Sequence, residues 1–175
     1  LDAEEVGTIR ADGDGELEFA VDAEPGTASL GFWSEDTFGT RSITFNTTFD
    51  ITQGAVTTVR GVLLPPTLQV DDATINPGDT VTLQGQSAPN ESVELYRNDE
   101  VIATVDTNSN GVWEYQYNTA GLAPAEYLLR ARMLQGSGSL VSESSFSASV
   151  TLFVGVEGRA TTPSDLNRDG SVNLI

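Results

Sequence analysis

The sequence predicts an all-β chain of tandem antiparallel sandwiches, the first of them incomplete at its N-terminus. Three observations carry that prediction. Apolar and polar residues alternate with a period of two, which places successive side chains on opposite faces of a strand. The alternating runs are short and are separated by Asn, Asp, Gly and Pro in combinations that specify turns. A stretch near the N-terminus also matches, without gaps, a stretch 96 residues further on.

Taken in chain order, the acidic opening Asp2-Ala3-Glu4-Glu5 reads as a solvated strand or turn. The repeated stretch follows: Thr8-Ile9-Arg10-Ala11-Asp12-Gly13-Asp14-Gly15-Glu16-Leu17-Glu18-Phe19 aligns on Thr104-Val105-Asp106-Thr107-Asn108-Ser109-Asn110-Gly111-Val112-Trp113-Glu114-Tyr115. Ile43, Phe45, Phe49 and Ile51, with Thr47 in phase, interleave with Thr44, Asn46, Thr48 and Asp50 and give one dry and one wet face. Val81-Leu83, Val93-Leu95 and Val101-Ala103-Val105 are further strands. They are divided by the turn sequences Asn76-Pro77-Gly78-Asp79, Ala88-Pro89-Asn90 and Asn98-Asp99. A last run predicts Phe146, Ala148, Val150, Leu152 and Val154 on one face, alternating with Ser145, Ser147, Ser149 and Thr151. Many short strands at this spacing indicate a sandwich.

The repeat sets the expected organisation. The second unit spans 65–154 with the matched hairpin near its middle, whereas in the first unit, 1–64, that hairpin sits almost at the N-terminus. The first unit is therefore expected to be the C-terminal part of a sandwich, with roughly 30 residues of it upstream of Leu1 given the usual domain size. Leu64-Pro65-Pro66-Thr67 forms the junction, stiffened by two prolines that fix φ and remove donors. Residues 155–164 read as a linker and 165–175 as the start of a separate module.

Leu122-Ala123-Pro124-Ala125-Glu126-Tyr127 resembles the tyrosine corner of immunoglobulin-like and fibronectin type III-like sandwiches, where a Tyr opening strand F folds its hydroxyl back to the backbone. The repeat offset is also about the length of one such domain. The first unit departs from the pattern, with Ala28 after Pro25-Gly26-Thr27. The resemblance implies tandem immunoglobulin-like or fibronectin type III-like β-sandwiches.

Composition excludes much chemistry. The formal net charge is -18, and all eight basic residues are arginines: the chain has no lysine, histidine or cysteine. Such a chain repels nucleic acid and anionic membranes and attracts divalent cations. It has no Ser-His-Asp or Cys-His nucleophile, no thiolate or imidazole metal site, no Schiff-base lysine and no lysine for an isopeptide staple. No apolar run approaches the roughly 20 residues of a membrane-spanning helix. With no charged-then-apolar leader before Leu1 and no initiating Met, the chain reads as an internal piece of a longer protein.

The C-terminal Asp165-Leu166-Asn167-Arg168-Asp169-Gly170-Ser171-Val172-Asn173-Leu174-Ile175 fits the first eleven positions of an EF-hand-type loop. Oxygen ligands come from Asp165, Asn167, Asp169, the Ser171 carbonyl and Asn173. Gly170 supplies the sharp turn, and Val172 is the apolar residue at position 8. A hard cation such as calcium demands many oxygens from one tight turn. The closing carboxylate of position 12 would fall at residue 176. The segment resembles the first half of a type I dockerin, a module that binds calcium and grips a cohesin domain. That resemblance implies a cohesin-like partner, with Leu174 and Ile175 contributing to partner choice. The order of modules, with Gly61-Val62-Leu63-Leu64-Pro65-Pro66 and Ser87-Ala88-Pro89-Asn90, resembles large surface proteins of uncultivated bacteria and implies an extracellular or cell-surface location.

Other candidate sites have plainer explanations. Asp106-Thr107-Asn108-Ser109-Asn110-Gly111 has calcium-loop spacing, but Asn-Gly between apolar runs signals a hairpin, and its repeat partner for Asp106 is Arg10, which cannot ligate a cation. Trp113, Tyr115 and Tyr117 share one face of a strand and would suit sugar stacking; their repeat partners Leu17, Phe19 and Val21 are core-like, so packing is the expectation. Abundant carboxylates leave a glycosidase pair conceivable, but nothing singles one out. The expected function is thus a non-catalytic spacer with a docking segment. The alternatives are a carbohydrate-binding or adhesive module recognising a polysaccharide, or an accessory region of a secreted glycan-active enzyme.

Overall fold

The computed structural model describes residues 5–136, 138 and 140–156, and no helix occurs among them. Strands β1 (Gly26–Phe32) and β2 (Phe45–Ile51) form an antiparallel hairpin. Nine further strands make a sandwich: β3 (Gln69–Val70), β4 (Thr74–Ile75), β5 (Thr80–Gln86), β6 (Ser92–Arg97), β7 (Glu100–Asp106), β8 (Val112–Asn118), β9 (Ala125–Gln135), β10 (Ser142–Glu143) and β11 (Val150–Val154). One sheet has the order β3-β5-β8. The other runs β4-β11-β9-β6-β7, with β10 pairing the far end of β9. Only β4 and β11 are parallel among these pairs. This is the A-B-E and A′-G-F-C-C′ arrangement of an immunoglobulin-like sandwich.

Period-two alternation produces the core directly. Val81 and Leu83 of β5 and Trp113 and Tyr117 of β8 face Val93 and Leu95 of β6, Leu129 and Ala131 of β9, and Leu152 and Val154 of β11; all are buried. Tyr115 points the same way but stays half-buried, its ring stacked on Tyr117. Loop ends are closed by buried threonines. Thr107 Oγ1 donates to the Ala88 carbonyl (2.7 Å) and accepts the Glu91 N–H, and Thr119 Oγ1 donates to the Asp79 carbonyl (2.7 Å) and accepts the Gly78 N–H. Such pairing removes the penalty of burying a hydroxyl.

The tyrosine corner forms as expected, the Tyr127 hydroxyl donating to the Ala123 carbonyl at 2.9 Å. Tyr127→Phe keeps the ring and deletes that bond. It should lower stability by about 1 kcal/mol in denaturant unfolding, with unchanged strand content.

The last strand differs from the sequence expectation. Alternation predicted Phe146 and Ala148 in phase with Leu152, yet β11 begins only at Val150, and Ser144 and Ser147 are the buried residues before it. The cause is a pair of serine-mediated interruptions. The hydroxyls of Ser144 and Ser147 accept the N–H groups of Met133 and Ala131 and donate to the carbonyls of Ser145 and Ala148. The two serine N–H groups still bond the carbonyls of Met133 and Ala131. Each serine thus takes a place in the β9 ladder that a backbone carbonyl would hold, and the phase of the following residues slips.

The β1–β2 hairpin repeats this design. Ser42 N–H bonds the Ser34 carbonyl, Ser42 Oγ accepts the Ser34 N–H at 2.9 Å, and that hydroxyl donates to the Ile43 carbonyl. The Glu35–Arg41 bridge beyond it parallels the Leu134–Glu143 pair. Hairpin β1–β2 therefore corresponds to β9–β11, the F–G hairpin. The repeat near the N-terminus survives as a turn alone. Asp12 and Asn108 each accept two backbone N–H groups on Oδ1, from Asp14 and Glu16 and from Asn110 and Val112, with Gly15 and Gly111 in the left-handed region at φ 78° and 74°. Leu17, Phe19 and Val21, the partners of the β8 aromatics, lie outside any strand, 46%, 42% and 41% exposed.

A third copy of the turn, at Asp36, holds the hairpin against the sandwich. Asp36 Oδ1 accepts the N–H groups of Phe38 and Thr40, and its Oδ2 accepts the Thr67 hydroxyl at 2.7 Å; both side chains are buried. Thr37 N–H bonds Gln86 Oε1 at 2.9 Å, and Thr40 Oγ1 lies 3.3 Å from Gln69 Oε1. Pro65 and Pro66 are fully buried, so the proline pair is packed as well as stiff.

Candidate functional site

The predicted calcium ligands Asp165, Asn167, Asp169, Ser171 and Asn173, and the predicted partner contacts Leu174 and Ile175, lie outside the described residues. Among the described residues no group of three or more acidic side chains is placed to hold a metal ion. In the Asp106–Gly111 segment, Asp106 accepts the Ser92 hydroxyl at 2.9 Å and Asn108 is committed to its turn, so these oxygens close a hairpin. Trp113 is 1% exposed and Tyr117 7%, which removes the aromatic platform from the surface.

The most organised polar constellation lies on the outer face of the β9–β6 pair, and sequence reading missed it. The unbroken β6–β9 register places Glu94 opposite Arg132 and Tyr96 opposite Arg130. Phe146, set on this face by the flanking serines, meets Tyr96 edge-on with ring centres 5.0 Å apart. Arg130 lies over the Phe146 ring at 4.4 Å, and Arg132 lies 5.3 Å from the Tyr96 ring. Arg132 gives Glu94 Oε2 two hydrogen bonds, at 2.9 and 2.8 Å, and also pairs with Glu143; Tyr96 Oη donates to the same Glu94 oxygen at 2.6 Å. Burial opposes ionisation of Glu94, but the bonds from Tyr96 and Arg132 outweigh it and hold the carboxyl below its ordinary range. The hydroxyl of Tyr96 is pushed up by burial and by that carboxylate. Cation–π stacking and charge-assisted bonds thus fasten the F–G segment to strand C. Arginines two apart on one strand were the available signal, but their partners appear only once the register is known.

At the opposite end, Arg97 donates to Tyr117 Oη at 3.0 Å and pairs with Glu100, while Arg130 pairs with Asp99 at 2.7 Å. Arg97, Asp99 and Glu100, with Leu122 and Tyr127, line an open cleft of about 470 Å³. Its two carboxylates are both engaged by arginines, an arrangement that braces the β6–β7 turn.

No protein-family model matches the chain, and no curated protein matches it. Among solved structures, it is similar to the crystal structure of CHIR-AB1, with 21% identity over 53% of this chain and 99% of the other and a TM-score of 0.44. It is also similar to the D00-D0 domain of Intimin, with 12% identity over 74% of this chain and 65% of the other and a TM-score of 0.35. At these levels the fold rests on the chain's own strand order and register.

Proposed function

We propose that this chain is a non-catalytic spacer of a secreted or cell-surface bacterial protein, carrying at its C-terminus a dockerin-like segment that binds calcium and docks a cohesin-like domain. The observation that supports the spacer reading is the bonded seam between hairpin and sandwich. The buried Asp36–Thr67 bond, the Thr37–Gln86 bond and the packed prolines resist bending where a flexible tether would leave solvated backbone. The Asp165 loop supports the docking reading from sequence alone. Burial of Trp113 and Tyr117 weighs against the polysaccharide alternative in its stacking form.

Calorimetric titration with calcium tests the docking reading. The chain ending at Ile175 should bind weakly, because the carboxylate of position 12 supplies the last charge and ties the loop to the next helix. Asp165→Ala with Asp169→Ala should abolish that binding, and a chain extended by a full docking module should bind tightly and capture a cohesin domain only with calcium present. Tight binding by the short chain, or none by the extended one, refutes the assignment.

A further inference from the structure

Strand β8 ends the β3-β5-β8 sheet, and no other described strand pairs with its outer edge. It is seven residues long, with no proline, lysine or register break, and Glu114 is its one charged residue. Thr82 and Gln86 turn their backbone groups toward the β3 side. By alternation Val81, Leu83 and Gly85 bond Tyr117, Tyr115 and Trp113, their register partners. The N–H and C=O groups of Glu114 and Gln116 are therefore aimed outward, and both residues are exposed.

We infer that this edge pairs with the same edge of a second copy of the chain, antiparallel, about a two-fold axis at Tyr115. This register obeys the alternation of bonded and non-bonded pairs. Tyr115 spends its backbone groups on β5, so Tyr115 opposes Tyr115 of the copy as a non-bonded pair. Glu114 then opposes Gln116 of the copy as a bonded pair, twice, giving four main-chain hydrogen bonds. Charge favours β8 over β7, the seven-residue edge strand of the facing sheet. On β8 each Glu114 carboxylate meets the Gln116 amide of the copy, a pairing its own Gln116 already shows with Nε2 2.9 Å from Glu114 Oε1. A full two-fold pairing of β7 would instead set Glu100 against Asp106, like charge on like charge. The paired strands join two three-stranded sheets into one of six. The contact is small, which makes it weak for single chains and additive along arrays of repeats. Since each copy carries a net charge of -18, association should strengthen with salt.

Sedimentation equilibrium from about 10 µM to 1 mM, at about 0.05 and 0.5 M salt, tests this. The wild-type chain should shift from monomer toward dimer with concentration, more so at high salt. Gln116→Glu sets two carboxylate pairs face to face and should lower the association constant at least about tenfold. Adding Glu114→Gln to that variant restores the carboxylate–amide match and should restore association. Circular dichroism melting establishes that each variant is folded. A wild-type chain that stays monomeric at 1 mM in both salts, or a folded Gln116→Glu variant that associates like wild type, overturns the inference.

Discussion

Replacing Trp113 by alanine is expected to destabilise the sandwich by about 3 to 5 kcal/mol, the range for deleting a large buried aromatic side chain. Trp113 is the largest fully buried side chain, and its six-membered ring lies against Gly85, where an added Cβ would meet Trp113 Cζ2 at 2.9 Å. That Cβ would meet the Thr67 carbonyl oxygen still closer, so the Thr67 backbone and the indole together exclude a side chain at position 85. The alanine variant leaves a cavity between β5 and β8 that neither strand can close, since both are held in register over seven pairs. A companion substitution separates packing from hydrogen bonding. Trp113 Nε1 is buried without a partner among the described residues. Trp113→Phe therefore removes an unpaired donor along with part of the ring, and the first effect offsets some of the second. The expected loss is about 1 to 2 kcal/mol. Urea unfolding of the three proteins measures both differences, and a loss below 1 kcal/mol for the alanine variant would be incompatible with a buried indole.

The all-β class, the sandwich, the tyrosine corner and the burial of Trp113 and Tyr117 were legible because each depends on a local pattern: alternation, turn residues, or a motif a few residues long. Reading stopped where pairing between distant strands decides the outcome. Ser144 and Ser147 look like the polar half of an alternating strand. Only the neighbouring β9 reveals that their hydroxyls replace carbonyls in the ladder and throw Phe146 onto the opposite face. The Glu94–Arg132–Tyr96 network likewise joins residues 38 apart in sequence, and a single register slip would dissolve it. Asp36 had a visible local role, since Asp-x-x-Gly is a turn signal. Its second oxygen reaches Thr67, 31 residues away, and that contact has no local signature. The metal and partner contacts expected at residues 165–175 rest on a wholly local motif and lie outside the described residues.

The three aspartate- and asparagine-initiated turns offer a graded test, because one glycine position recurs in three surroundings. Gly39, Gly15 and Gly111 all adopt positive φ, at 82°, 78° and 74°, where any Cβ meets the backbone at a cost of roughly 1 to 2 kcal/mol. Their neighbours differ. A Cβ on Gly39 would meet nothing within 4 Å. One on Gly15 would come within 2.7 Å of Pro89 Cδ, a ring atom tied to the backbone, but the turn that carries Gly15 is exposed and can shift away from it. At Gly111 the Cβ would run into the carbonyl oxygen of Ser87, a backbone atom fixed on both sides. Ser87 N–H bonds the Gly111 carbonyl at 2.9 Å, and Gly111 N–H bonds the Asn108 carbonyl at 2.9 Å, so neither chain can retreat without breaking the turn. Overpacking against fixed atoms adds about 1 to 3 kcal/mol to the conformational term. Gly39→Ala should therefore lose about 1 kcal/mol, Gly15→Ala slightly more, and Gly111→Ala about 3 kcal/mol or more, enough to threaten folding of a domain of ordinary stability. Thermal unfolding of the three alanine variants would rank them. Equal losses at all three positions would mean that φ alone matters and that the Ser87 contact is absent in solution.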